Sequence, residues 1–154
     1  MLGLLDAPKT YSSIERRRLQ GAVRKKPKRS NPDRPARALV VEDTVDIRRL
    51  MNLILEDAGL EVFSVGDGNS AADLIMQWPA PDLVILDRML PYMSGEQLIK
   101  KIRSDELWSE VPVVVVSAKA RGDEISEMMM DGADGYITKP FNAKHFVEVV
   151  NRFI

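Results

Sequence analysis

The chain has 154 residues, 45% apolar and 29% charged, which suits one globular domain with a modest addition. It has no cysteine, which excludes disulfides and thiolate metal sites and agrees with a reducing cytosol; the start, MLGLLDAPKT, reads as no secretory signal, and no stretch nears the ~20 apolar residues of a membrane span. The net charge of -1 hides a division, because residues 1–37 carry 11 basic against 3 acidic side chains, a net +8, leaving -9 on the rest.

Taken in chain order, the basic part comes first. SSIERRRLQGAVRKK admits a short helix from Ser12 or Ser13, but Ile14, Leu19 and Val23 give it only a thin apolar stripe. KPKRSNPDRPAR has three prolines and no periodicity, so it reads as an extended linker. Residues 1–36 are therefore expected to be a flexible, partly helical tail, and 37–154 a compact domain.

From residue 37 strands and helices alternate. ALVVED is a short apolar strand ending in acids, and VDIRRLMNLILEDAG follows at helical spacing until Gly59, a residue suited to ending helices. LEVFSVG is a strand and NSAADLIMQW a helix stopped by Pro79. DLVILD is apolar on both faces, and GEQLIKKIRSDELW follows as a helix over 95–108. VPVVVVSA with GDEISEMMMDG, then GYITKP with NAKHFVEVVNRFI, complete five strand–helix units. Inner strands apolar on both faces predict an α/β fold, a doubly wound parallel sheet between helices. In such a sheet right-handed crossovers bring every strand's carboxyl end to one edge, where ligands bind.

Strand ends are thus the place to look for chemistry. Strand one is read as ending in Glu42 and Asp43, strand three in Asp87, strand four in Ser117 and strand five in Lys139. Three acids placed together repel one another unless a cation joins them. Hard carboxylate oxygens suit Mg²⁺, and Mn²⁺ is admitted as a substitute. A lysine and a hydroxyl are suited to phosphoryl oxygens. The chemistry this implies is phosphoryl transfer onto a carboxylate.

With these residues the sequence resembles the receiver domain of bacterial two-component response regulators over Ala38–Ile154, through VVED, LVILDRMLPYMSG, VVVVSAKA and GADGYITKPF in that order. The resemblance implies a flavodoxin-like (βα)5 fold and a phosphoryl group received from a sensor histidine kinase or a histidine phosphotransfer protein. It makes Asp87 the phospho-acceptor. Asp43, Asp87 and the backbone carbonyl of Met89 become metal ligands, with Glu42 acting mostly through water. Ser117 becomes the switch hydroxyl, Lys139 the phosphate-pairing lysine, and Tyr136 the switch aromatic, while Pro140 is expected to follow a cis bond. Arg88 falls at a variable position, and Ser94 and Ser117 replace the commoner Asp and Thr. In this family the side chains of Met89 and Lys119 flank the path of the hydrolytic water.

The resemblance further implies a cytoplasmic switch with a partner surface on the fourth helix, fifth strand and fifth helix, and a homodimer formed on phosphorylation. An aspartyl phosphatase is the competing enzyme class, and it lacks its usual second acid because Met89 stands there. The tail offers weak, salt-sensitive contact with nucleic acid or anionic lipid, without aromatics for specific readout except Tyr11. Met128–Met130 reads as helix packing plus an exposed helix face, and His145 as facing solvent.

Overall fold

A computed structural model describes residues 32–118 and 122–154. The expected helix from Ser12 or Ser13, the first half of the linker, and Lys119 lie outside these residues. Runs of Val, Ile and Leu too short for helices become strands. They are β1 (Arg37–Val41), β2 (Glu61–Val65), β3 (Leu83–Asp87), β4 (Val113–Ser117) and β5 (Gly135–Thr138). The helices are α1 (Val45–Asp57), α2 (Gly68–Gln77), α3 (Gly95–Ser104), α4 (Gly122–Asp131) and α5 (Ala143–Val150).

All strand pairs are parallel, in the order β2-β1-β3-β4-β5. Alternate strand residues feed two cores. Leu39, Val41, Val84, Leu86, Val113 and Val115 pack against the side covered by α2, α3 and α4. Ala38, Val40, Leu83, Ile85, Val114 and Val116 face α1 and α5 through Met51, Leu55, Phe146 and Val149. Each fully buried Val, Leu or Ile contributes roughly 1.5–3 kcal/mol relative to exposure. The doubly wound parallel sheet expected from the apolar runs, in the flavodoxin-like form that the resemblance implied, is therefore the fold of this chain.

Several boundaries moved. β1 stops at Val41 and β5 at Thr138, so Glu42, Asp43 and Lys139 stand just past their strands. The third helix ends at Ser104, not Trp108. The Asp105 carboxylate accepts the amides of Leu107 and Trp108, which starts a turn and frees Trp108 to enter the core at 2% exposure. α5 ends at Val150, where the amides of Arg152 and Phe153 turn back to Val149 and Val150. Gly59 does follow α1, with φ 91°, a conformation that costs other residues energy.

Candidate functional site

The strand order reverses between β1 and β3: the chain passes outward to β2 on one side and to β4 and β5 on the other. Crossovers therefore leave on opposite faces there, and the strand ends open a crevice. Both bordering strands deliver acids into it. Asp87 closes β3 and is 6% exposed, while Glu42, one residue past β1, is fully buried. Asp43 beside it is exposed. Carboxylate oxygens of Glu42, Asp43 and Asp87 lie within 4.8 Å of one another.

Lys139 joins this group from the end of β5. Its Nζ stands 2.9 Å from Glu42 Oε2 and 3.0 Å from Asp87 Oδ2. It is held there by its own backbone, because the Lys139 amide donates to the Ser117 carbonyl at 2.9 Å, ahead of a cis Lys139–Pro140 bond. Ser117 is 2% exposed and ends β4, beside the strand that carries Asp87.

Local hydrogen bonds fix the acids. The Met89 amide donates to Asp87 Oδ1 at 3.0 Å, and the Thr44 amide to Glu42 Oε1 at 3.2 Å. Arg48 of α1 donates to the Glu42 carbonyl at 2.7 Å. Gly95 lets α3 approach the loop after Asp87: a Cβ there would come within 2.9 Å of the Asp87 carbonyl oxygen and of Arg88 Cα. The Ser94 hydroxyl and Gln97 side chain close a capping box at the same helix start.

Burial pushes the Glu42 carboxyl above its ordinary value; the Lys139 hydrogen bond opposes this, and the Asp87 charge adds to it. Burial pulls the Lys139 ammonium down, but hydrogen bonds and charges from Glu42 and Asp87 outweigh it, so the lysine is raised. Among the described residues, three carboxylates thus face one ammonium. That excess of hard oxygen donors fits a divalent cation, with Glu42, Asp43 and Asp87 as the residues able to hold it.

The structure thus brings Glu42, Asp43, Asp87, Ser117 and Lys139 to one edge. The Met89 side chain is 63% exposed and turned outward, and only its backbone belongs to the site. Tyr136 is half-buried in β5, packed on the core side that holds α3 and α4. His145 is exposed, and of the three methionines Met128 is buried while Met129 and Met130 are exposed. Nothing in the sequence pointed to Arg48, and Arg88 was marked only as a variable position. Arg88 pairs with Glu96 at 2.6 Å and reaches Glu124 and Glu127 of α4. A charge directly after a buried strand, with Glu96 one helix start away, was the available signal.

Residues 38–151 match the family model of the response regulator receiver domain. The chain is 39% identical over 111 residues to the phosphate regulon transcriptional regulatory protein PhoB of Escherichia coli K12, covering 72% of this chain and 48% of that protein. It spans about half the length of the curated relatives it matches. The chemotaxis response regulator CheY4 of Vibrio cholerae superposes with a TM-score of 0.74 at 28% identity, over 78% of this chain and 99% of that one. The receiver domain of the sensor histidine kinase PA1611 from Pseudomonas aeruginosa PAO1, described with a magnesium ion in its active site cleft, has the same fold: TM-score 0.71, 24% identity, 77% and 97% coverage.

Proposed function

This chain belongs to the response regulator receiver domain family, a signalling switch of two-component systems, and on that footing we propose that Asp87 is its phospho-acceptor. The donor is a sensor histidine kinase or a histidine phosphotransfer protein. One Asp87 oxygen forms the new O–P bond while the P–N bond of the phosphohistidine breaks. The observation that carries the reading is Lys139 spanning Glu42 and Asp87 at the switch point. Its ammonium already holds one Asp87 oxygen and is placed to neutralise an incoming phosphoryl group. Burial among opposed charges keeps the group pre-arranged, so little reorganisation precedes transfer.

Mg²⁺ held by Asp43, Asp87 and the Met89 carbonyl, with Glu42 through water, would offset charge on the phosphoryl oxygens. Mn²⁺, admitted by the sequence, draws no support from the comparisons. Ser117 supplies the switch hydroxyl and Tyr136 the aromatic that follows it. The surface that changes is α4, β5 and α5, which receives a downstream protein or a second phosphorylated copy. The chain acts as a switch rather than as an enzyme on separate substrates, catalysing only its own phosphorylation and hydrolysis, and works in the cytoplasm. Residues 37–154 form the receiver, and 1–36 a basic extension with weak nucleic acid or anionic lipid contacts, supported by its charge.

The test is intact mass after incubation with a small acyl phosphate and Mg²⁺. One phosphoryl group should appear on the wild-type chain and none on Asp87→Asn. Undiminished labelling of that variant contradicts the assignment.

A further inference from the structure

α3 and α4 cover the same side of the sheet but are held differently. α3 buries Leu98, Ile99 and Ile102 completely, whereas Met128 is the one buried residue among the described residues of α4. Apolar burial alone therefore grips α4 weakly. Charge supplies another hold. Arg88, the residue after Asp87, lies 2.6 Å from Glu96 Oε1 at the start of α3, 3.4 Å from Glu124 Oε2 and 3.8 Å from Glu127 Oε2 on α4. The Arg88 and Glu124 side chains are only 15% and 19% exposed, so solvent screens their attraction little.

The two contacts differ in kind. Arg88 Nε donates a hydrogen bond to Glu96. Arg88 Nη1 and Glu124 Oε2 are each buried without a hydrogen-bond partner, although they face each other. They attract without directional locking, so a small shift of α4 alters the pair. Three carboxylates share one guanidinium, so the cluster is already rich in negative charge.

We propose that Arg88 is a positioning residue that clamps α4 to the strand end bearing Asp87 and carries the charge state of Asp87 to that helix. The second half rests on Asp87 being the phospho-acceptor. A phosphoryl group adds negative charge one residue from Arg88, competes for the guanidinium and weakens its hold on Glu124 and Glu127. α4 then loosens through charge.

The test is amide hydrogen exchange of Gly122–Asp131 in the full, unmodified chain. Arg88→Met and Glu124→Gln should each quicken exchange about fivefold in α4 while leaving β3 and the body of α3 beyond its first turn unchanged. The double variant should be no faster than Arg88→Met alone, because both substitutions remove one interaction. Arg88→Lys should restore part of the protection, keeping the charge without the fork. Additive effects, or quickening spread evenly through the fold, overturn the clamp. After acyl phosphate and Mg²⁺, a phosphorylated wild type whose α4 does not quicken overturns the coupling. A wild type that takes no phosphoryl group overturns the phospho-acceptor reading and the coupling with it, while the clamp is judged on the unmodified chain.

Discussion

Buried ion clusters stand at both edges of the sheet, and they differ in how completely they are satisfied. At the amino-terminal edge Arg103 and Asp134, each 5% exposed, pair at 2.8 Å. The guanidinium also donates to the carbonyls of Ser109, Val111 and Gly132, and Asp134 accepts the Val113 amide. A cation meets an anion there, tying α3 to the start of β4 and to the turn before β5. At the carboxyl-terminal edge Lys139 meets two buried acids, with a third close by. The first cluster is balanced and holds the fold together. Among the described residues the second carries surplus negative charge, which favours a cation, and the cation would in turn offset the charge of a phosphoryl group. Burial is common to both, so charge balance separates framework from function.

The largest effect that sharpens this contrast is on stability. Asp134→Ala should cost about 3 kcal/mol in urea unfolding, because it strands Arg103 in the interior. The folded protein should still accept one phosphoryl group. A loss under about 0.5 kcal/mol, the level of ordinary surface changes, would remove the framework role.

Next, Lys139→Ala should slow phosphorylation by a small acyl phosphate about a hundredfold, the scale of losing one charge-stabilising donor. An unchanged labelling rate would break the functional side of the comparison.

Glu42→Gln should raise stability in metal-free buffer at neutral pH by on the order of 1 kcal/mol. The sign follows from the raised carboxyl: what Glu42 contributes is fully present below its ordinary value of 4.5 and is lost as pH rises through the higher folded value. Gln removes that loss, so the gain should vanish when urea midpoints are compared below about pH 4.5. Mg²⁺ should stabilise the wild type more than the variant, by mass action on the folded state. A variant less stable at neutral pH would contradict the surplus-charge account.

The smallest effect concerns lifetime. Met89 offers only a weak acceptor and Lys119 none, so neither type of side chain is suited to orient a hydrolytic water. Met89→Asn with Lys119→Glu should shorten the life of the phosphorylated state a few-fold, about the effect of modest repositioning. The decay is followed by intact mass once the donor is removed, and an unchanged decay refutes the idea.

These clusters were unequally legible in the sequence. Glu42, Asp43, Asp87, Ser117 and Lys139 could be found because each follows an apolar run, and parallel strands carry such ends to one edge. Arg103 gave no such sign: it sits in a helix pattern as an ordinary surface arginine, and its burial depends on carbonyls in loops and on Asp134, 31 residues away. Arg88 was hidden for the same reason, since Glu124 and Glu127 reach it only once α4 is packed. The helix expected to run through Trp108 failed on local turn chemistry at Asp105, whose carboxylate competes for the next amides. Periodicity reports faces and ends, whereas capping and long-range pairing are settled by packing.

If Asp87 is the phospho-acceptor, the surplus-acid edge directs phosphoryl chemistry to one carboxylate. Phosphorylation by a small acyl phosphate with Mg²⁺, followed by borohydride reduction and peptide mass mapping, reads the acceptor directly, because reduction turns an acyl phosphate into an alcohol. Conversion is expected at Asp87 alone. Conversion at Glu42 or Asp43, or none at Asp87 in a chain that has gained phosphoryl mass, would contradict it.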